Sequence, residues 1–125
     1  MKEFRVTLTH RAGELARVTG LLAERQVNLK SVAGISEANK ALLCLVADDA
    51  AACRSALQDG QVQFEEAEVL SELLENEPGE IADLAHRLSE AGVDIQSMYI
   101  LARDEPLIEM GFTVNDPKRA KKVLG

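Results

Sequence analysis

The chain has 125 residues and a formal charge of −7, with 46% apolar residues, three Phe, one Tyr and no Trp. That apolar content excludes a disordered chain and fits one average domain or two very small ones. The negative charge repels a phosphate backbone and the scarcity of aromatics leaves little for base stacking, so nucleic acid is not an expected partner.

In chain order, EFRVTLT (3–9) alternates with Phe4, Val6 and Leu8 on one side, which predicts a strand. Gly13 follows, then a helix whose inward stripe is read as Leu15, Val18 and Leu22. VNLKSVAGIS (27–36) and KALLCLVA (40–47) read as a hairpin turning at EAN. A second helix is expected from Asp49, a residue suited to cap its start. QVQFEEAEVLSELLE (61–75) must hold two strands, the last of one unit and the first of the next. A helix after Gly79 follows, with Ile81, Leu84, Ala85 and Leu88 inward. SMYILA (97–102) and LIEMGFTV (107–114) are a second hairpin joined through RDEP. A terminal helix begins at Asp116 with Pro117 in its first position.

The order repeats because the sequence does. At an offset of 66, residues 13–31 and 79–97 share seven identities in nineteen positions: Gly13/79, Glu14/80, Ala16/82, Leu22/88, Glu24/90, Val27/93 and Ser31/97. VADDAAACRSAL (46–57) then resembles TVNDPKRAKKVL (113–124) at an offset of 67, with the extra residue expected in the hairpin. A duplication is the natural reading. The predicted class is α+β: two ferredoxin-like βαββαβ units, 1–67 and 68–125, with antiparallel sheets and helices on one face. The second unit lacks its last strand, so another segment or chain is expected to cover that edge. Neither unit is expected to bury much alone, and the two are expected to share one core.

Other features stay plain. The basic run KRAKK (118–122) fits the wet face of a terminal helix. Cys44 and Cys53 form no CxxC and are expected as buried thiols, and His10 and His86 are too few for a metal site. No metal or cofactor is expected. With no apolar leader or membrane-length run, a soluble cytoplasmic protein is expected.

Chemistry concentrates at two points of the repeat. Gly directly before a helix lets the backbone approach a guest, and the free N–H groups of the first turn suit an anion. Without a phosphate-loop pattern that guest is a carboxylate. Asn28 and Asp94 offer acceptors for an ammonium, and the two halves together suit an α-amino acid. The plain alternative is that Gly13 and Gly79 are turn residues and Asn28 and Asp94 helix exits. About twelve helical residues separate Gly13 from Asn28, or roughly 18 Å, so the two cannot grip one small ligand. Antiparallel pairing of the units through their second strands would set the Gly13 loop against Asp94 and the Gly79 loop against Asn28. His10 with Glu14 or Asp94 could exchange protons, but no nucleophile motif or cofactor loop accompanies them, so no enzyme activity is expected.

HRAGELARVTGLLAERQVNL and NEPGEIADLAHRLSEAGVDI resemble the opening of ACT domains, small regulatory modules that bind amino acids. The shared pattern is a polar residue three before the Gly, an apolar helix, and Asn or Asp fifteen after the Gly. The two resemblances cover nearly the whole chain. It is similar to stand-alone tandem ACT proteins, and more distantly to small regulatory subunits such as that of acetolactate synthase. The resemblance places ligand contacts at Asn76, Gly79 and Asp94 and at His10, Gly13 and Asn28, with Pro78, Glu80, Ala12 and Glu14 in the same loops. It favours Asn76–Gly79 with Asn28, because that pairing keeps both family carboxamides. It implies a non-catalytic amino-acid sensor, homodimeric, coupled to a metabolic enzyme or to oligomeric state. The alternative is a ligand-free regulatory subunit or dimerisation scaffold.

Overall fold

The computed structural model describes all 125 residues, Met1–Gly125. They form two units, Met1–Ala67 and Glu68–Gly125. The first contains β1 (Lys2–Thr9), α1 (Glu14–Glu24), β2 (Leu29–Glu37), β3 (Lys40–Ala47), α2 (Ala50–Asp59) and β4 (Phe64–Glu68, ending at the boundary). Its sheet has the order β2-β3-β1-β4. The second contains β5 (Leu70–Glu75), α3 (Glu80–Glu90), β6 (Ile95–Asp104), β7 (Leu107–Val114) and α4 (Pro117–Leu124), with the sheet order β5-β7-β6. These are two ferredoxin-like units in tandem, the second with no strand in the place of β4.

The shared core is not what forms. In unit 1, Phe4, Val6 and Leu8 of β1 and Leu43 and Leu45 of β3 pack with Val18 and Leu22 of α1 and Cys53, Ala56 and Leu57 of α2. In unit 2, Leu70, Ile108, Met110, Phe112 and Val114 pack with Leu84, Leu88 and Ala120. Two amphipathic helices suffice to cover one face of a small sheet, so each unit buries a core of its own.

The helical stripes are narrower than expected. Val18, Leu22, Leu84 and Leu88 are buried, but Leu15 is 54% exposed and Ile81 47%. Both stand in the first turn of their helix, beside the glycine loop. Asp49 and Asp116 cap α2 and α4 as their sequence implies, their carboxylates accepting from the N–H groups of Ala52 and Arg119, each at 3.1 Å. In the basic run, Ala120 faces the core while Lys121 pairs with Glu68 at 2.6 Å and Arg119 donates to the Ala91 carbonyl at 3.4 Å.

The extra residue of the second copy lies within a strand and not in the turn. Gly34 pairs with Leu43, and Ile35 with Leu42. In unit 2, Ile100 pairs with Met110, but Ala102 is next to pair, with Glu109. Leu101 is therefore the inserted residue, a bulge that leaves the ladder. Its side chain is 6% exposed and lies over Gly111, where a Cβ would come within 2.7 Å of it.

Candidate functional site

Each glycine loop is built in the same way. Gly13 and Gly79 occupy the N-cap positions of α1 and α3 with φ of 93° and 94°, a left-handed conformation that L side chains rarely adopt. No side chain caps either helix; the Glu14 and Glu80 N–H groups reach the Arg11 and Glu77 carbonyls at a long 3.4 Å, and the next N–H groups of each first turn have no side-chain cap. Both loops are tied to the hairpin of their own unit. The His10 N–H donates to the Asn39 carbonyl at 2.6 Å, and the Asn76 N–H to the Pro106 carbonyl at 3.0 Å.

Beside the first loop lies a cavity of about 400 Å³, lined by His10, Ala12 and Gly13 on one side and by Leu8, Leu15 and residues of the β2–β3 hairpin on the other. Polar backbone and Arg11, also in the lining, beside aliphatic walls are the usual build of a small-molecule site. A larger hollow of about 550 Å³ runs along Arg5, Thr7 and Val62–Glu65. No helix start opens on it, so the smaller cavity is the better candidate.

Glu14 is engaged elsewhere. Its carboxylate accepts from Arg11 Nη2 at 2.9 Å and from Arg17 Nη2 at 3.3 Å. The hydrogen bond from Arg11, then that from Arg17, holds it below the usual carboxylate range. These two arginines hold the carboxylate beside the first turn of α1. Glu80 and Pro78 stand in the equivalent loop of unit 2, with Asp83 adding a second acid to the first turn of α3.

Asn28 and Asp94 lie at the far ends of α1 and α3 from their own loops, just ahead of β2 and β6. The eleven residues of each helix keep Asn28 and Asp94 about 16 Å from their own glycine loops. Each has a partner that the sequence did not single out. Asn28 Nδ2 donates to Asp48 Oδ2 at 2.6 Å, and its carbonyl accepts from the Asp48 N–H at 3.0 Å. In unit 2 the Asp94 N–H donates to Asn115 Oδ1 at 2.8 Å, and its carbonyl accepts from the Asn115 N–H. Asn and Asp have exchanged places between the copies. The signal was present at Asp48 and Asn115, which align within VADD and TVND.

Cys44 and Cys53 are free and buried. Burial pushes the Cys53 thiol up to about 11, with a further push from Glu66. No group of three His, Cys, Asp or Glu is placed to hold a metal, and no helix is long and apolar enough to cross a membrane.

Two ferredoxin-like units, each opening its first helix on an uncapped left-handed glycine and closing it on an Asn–Asp pair, define a tandem of one small module. The match to known families is direct: residues 1–124 fit the ACT domain pair, and the chain belongs to that family. The crystal structure of protein BT0572 from Bacteroides thetaiotaomicron is similar, with a TM-score of 0.87 and 25% identity over 98% of this chain and 85% of that one. The regulatory subunit of aspartate kinase from Thermus thermophilus, in a ligand-free form, has the same fold, with a TM-score of 0.67 and 13% identity over 98% and 89%. The corresponding subunit from Thermus flavus matches at a TM-score of 0.61 and 12% identity, over 99% and 92%. No curated protein matches the chain by sequence.

Proposed function

We propose that the protein is a cytoplasmic amino-acid-binding regulatory module without catalysis of its own, in which an α-amino acid bridges the two units. The observation that carries this reading is the cavity at Gly13, where an uncapped helix start meets aliphatic walls. The ligand carboxylate takes the first-turn N–H groups of α1, where the helix dipole favours negative charge. The ammonium needs an acceptor that the loop lacks, and the Asn/Asp position of the other copy supplies it. His10, Ala12 and Gly13 thus work with Asp94, and Asn76, Pro78 and Gly79 with Asn28. The resemblance ranks the second pairing first, whereas the cavity favours the first.

Binding favours one arrangement of the chain over another by its difference in affinity, and the signal passes to a homodimer contact or to a metabolic enzyme. Calorimetric titration with each of the twenty L-amino acids tests the reading. At least one is expected to bind, and Gly13→Trp is expected to abolish the heat. Silence from all twenty at millimolar concentration would remove the proposal.

A second reading, a ligand-free scaffold, draws on β2. This edge strand leaves Val32 50% exposed and Ile35 69%. Self-association or capture of a fixed partner, unchanged by any amino acid, is its signature.

A further inference from the structure

The amino-acid reading leaves open which side chain the ligand carries, and the duplicated sequence supplies a comparison that addresses it. On the helix-covered side of unit 1, the cavity is bounded by Leu8, Leu15 and Leu43, and two small residues, Gly34 and Ala41, keep it open. The strand registers assign each a counterpart in unit 2. Gly34 pairs with Leu43 as Ile100 pairs with Met110, and Ala41 pairs with Ser36 as Ile108 pairs with Arg103. Both small residues are thus replaced by isoleucine in the second copy, Ile108 buried at 5% exposure and Ile100 at the surface at 37%.

We infer that the unit 1 cavity takes the aliphatic side chain of a branched α-amino acid, with Gly34 and Ala41 as the residues that decide its size. This rests on the amino-acid reading of the same loop and adds the ligand class to it. The polar lining, Thr9, His10, Arg11 and Ser36, is outnumbered by the aliphatic residues, and a polar side chain set against those aliphatic groups would lose its water without gaining a partner. An aliphatic one leaves water for carbon on several sides. Ile108, buried at the position of Ala41, makes the Gly79 loop the lesser site for this class.

Gly34 is not small because its backbone requires it. A Cβ there would meet only Leu43 Cδ1 at 3.6 Å and the Leu42 carbonyl at 4.0 Å, which is ordinary contact. Its φ is not among the positive ones. A β-branched residue would suit the strand better than glycine does. The opening, and not the fold, is what the glycine serves.

The test copies unit 2 into unit 1. The full chain is titrated with L-valine, L-leucine and L-isoleucine, against L-serine, L-aspartate and L-lysine. The aliphatic three are expected to bind at least about tenfold more tightly, the usual discrimination of an apolar pocket. Gly34→Ile is expected to lower that affinity by about a hundredfold with Tm unchanged or raised, since it adds several carbons to a filled volume. Gly34→Ala is expected to move the preference from leucine toward valine, a shift that loss of fold could not produce. Ala41→Ile repeats the blockade if Gly34→Ile does not fold. If the polar amino acids bind as well as the aliphatic ones, or if both blocking variants bind like the parent, this inference is overturned while the amino-acid reading stands. If none of the twenty binds the parent chain, the reading itself has failed.

Discussion

Unit 1 and unit 2 start from one pattern and differ around their hairpins. In unit 1 the pairing runs without a break from Ser31 to Lys40, β4 covers the outer edge of β1, and small residues beside the Gly13 loop leave a cavity. In unit 2 the pairing is interrupted at Leu101, β5 is an edge strand, and isoleucines occupy the positions of Gly34 and Ala41. A duplicated unit can keep its loops, caps and core while the small residues of one hairpin become isoleucines in the other. What holds the fold and what shapes the site lie on different residues.

The shared part should break equally in both copies. Phe4 and Phe112 are each fully buried, one in each core. Replacing either by Ala is expected to cost about 3–5 kcal/mol by urea unfolding. Hydrogen exchange should place the loss in the mutated unit, and equal deprotection everywhere would mean that the cores are not separate.

Gly111 sharpens the difference. Gly111→Ala is expected to cost about 1–3 kcal/mol, because the new methyl meets Leu101, while the equivalent position of unit 1 already holds Cys44. Adding Leu101→Ala should recover part of the loss relative to the sum of the two single changes. Strict additivity in that double-mutant cycle would show that the bulge does not need the glycine.

Gly13→Ala and Gly79→Ala should each cost about 1–2 kcal/mol, since both force a Cβ into the left-handed region. A much smaller loss at one position would mean that its loop relaxes. Asp49→Ala and Asp116→Ala remove matched caps and should each lower stability by about 1 kcal/mol.

The smallest effect concerns Cys53. Its thiol is held protonated up to about 11, above the 9.0 of an ordinary thiol. The unfolded chain therefore ionises first. The contribution is fully present below pH 9 and is lost as pH rises through about 11. Stability should decline less steeply over that window in Cys53→Ala, and a thiol reagent at pH 8 should label Cys53 only on unfolding.

Much of this was legible before any coordinates. Alternation in EFRVTLT, the Asp49 and Asp116 caps, the paired hairpins and the fixed spacing from glycine to Asn or Asp are local signals, each set by residues a few positions apart. The first-turn positions misled, because Leu15 and Ile81 continue the apolar period beyond the point where the sheet can cover them. The shared core was likewise an inference from size, which chain length cannot decide.

By itself, then, the sequence determined the two units, their elements and the two uncapped glycine loops, since hydrophobic period, capping chemistry and internal repetition act over short range. The tertiary structure decided which loop borders a cavity, that Asn28 is tied to Asp48 and Asp94 to Asn115, and that the inserted residue is Leu101. Those depend on strand register, which brings together residues far apart in the chain and which no local pattern encodes.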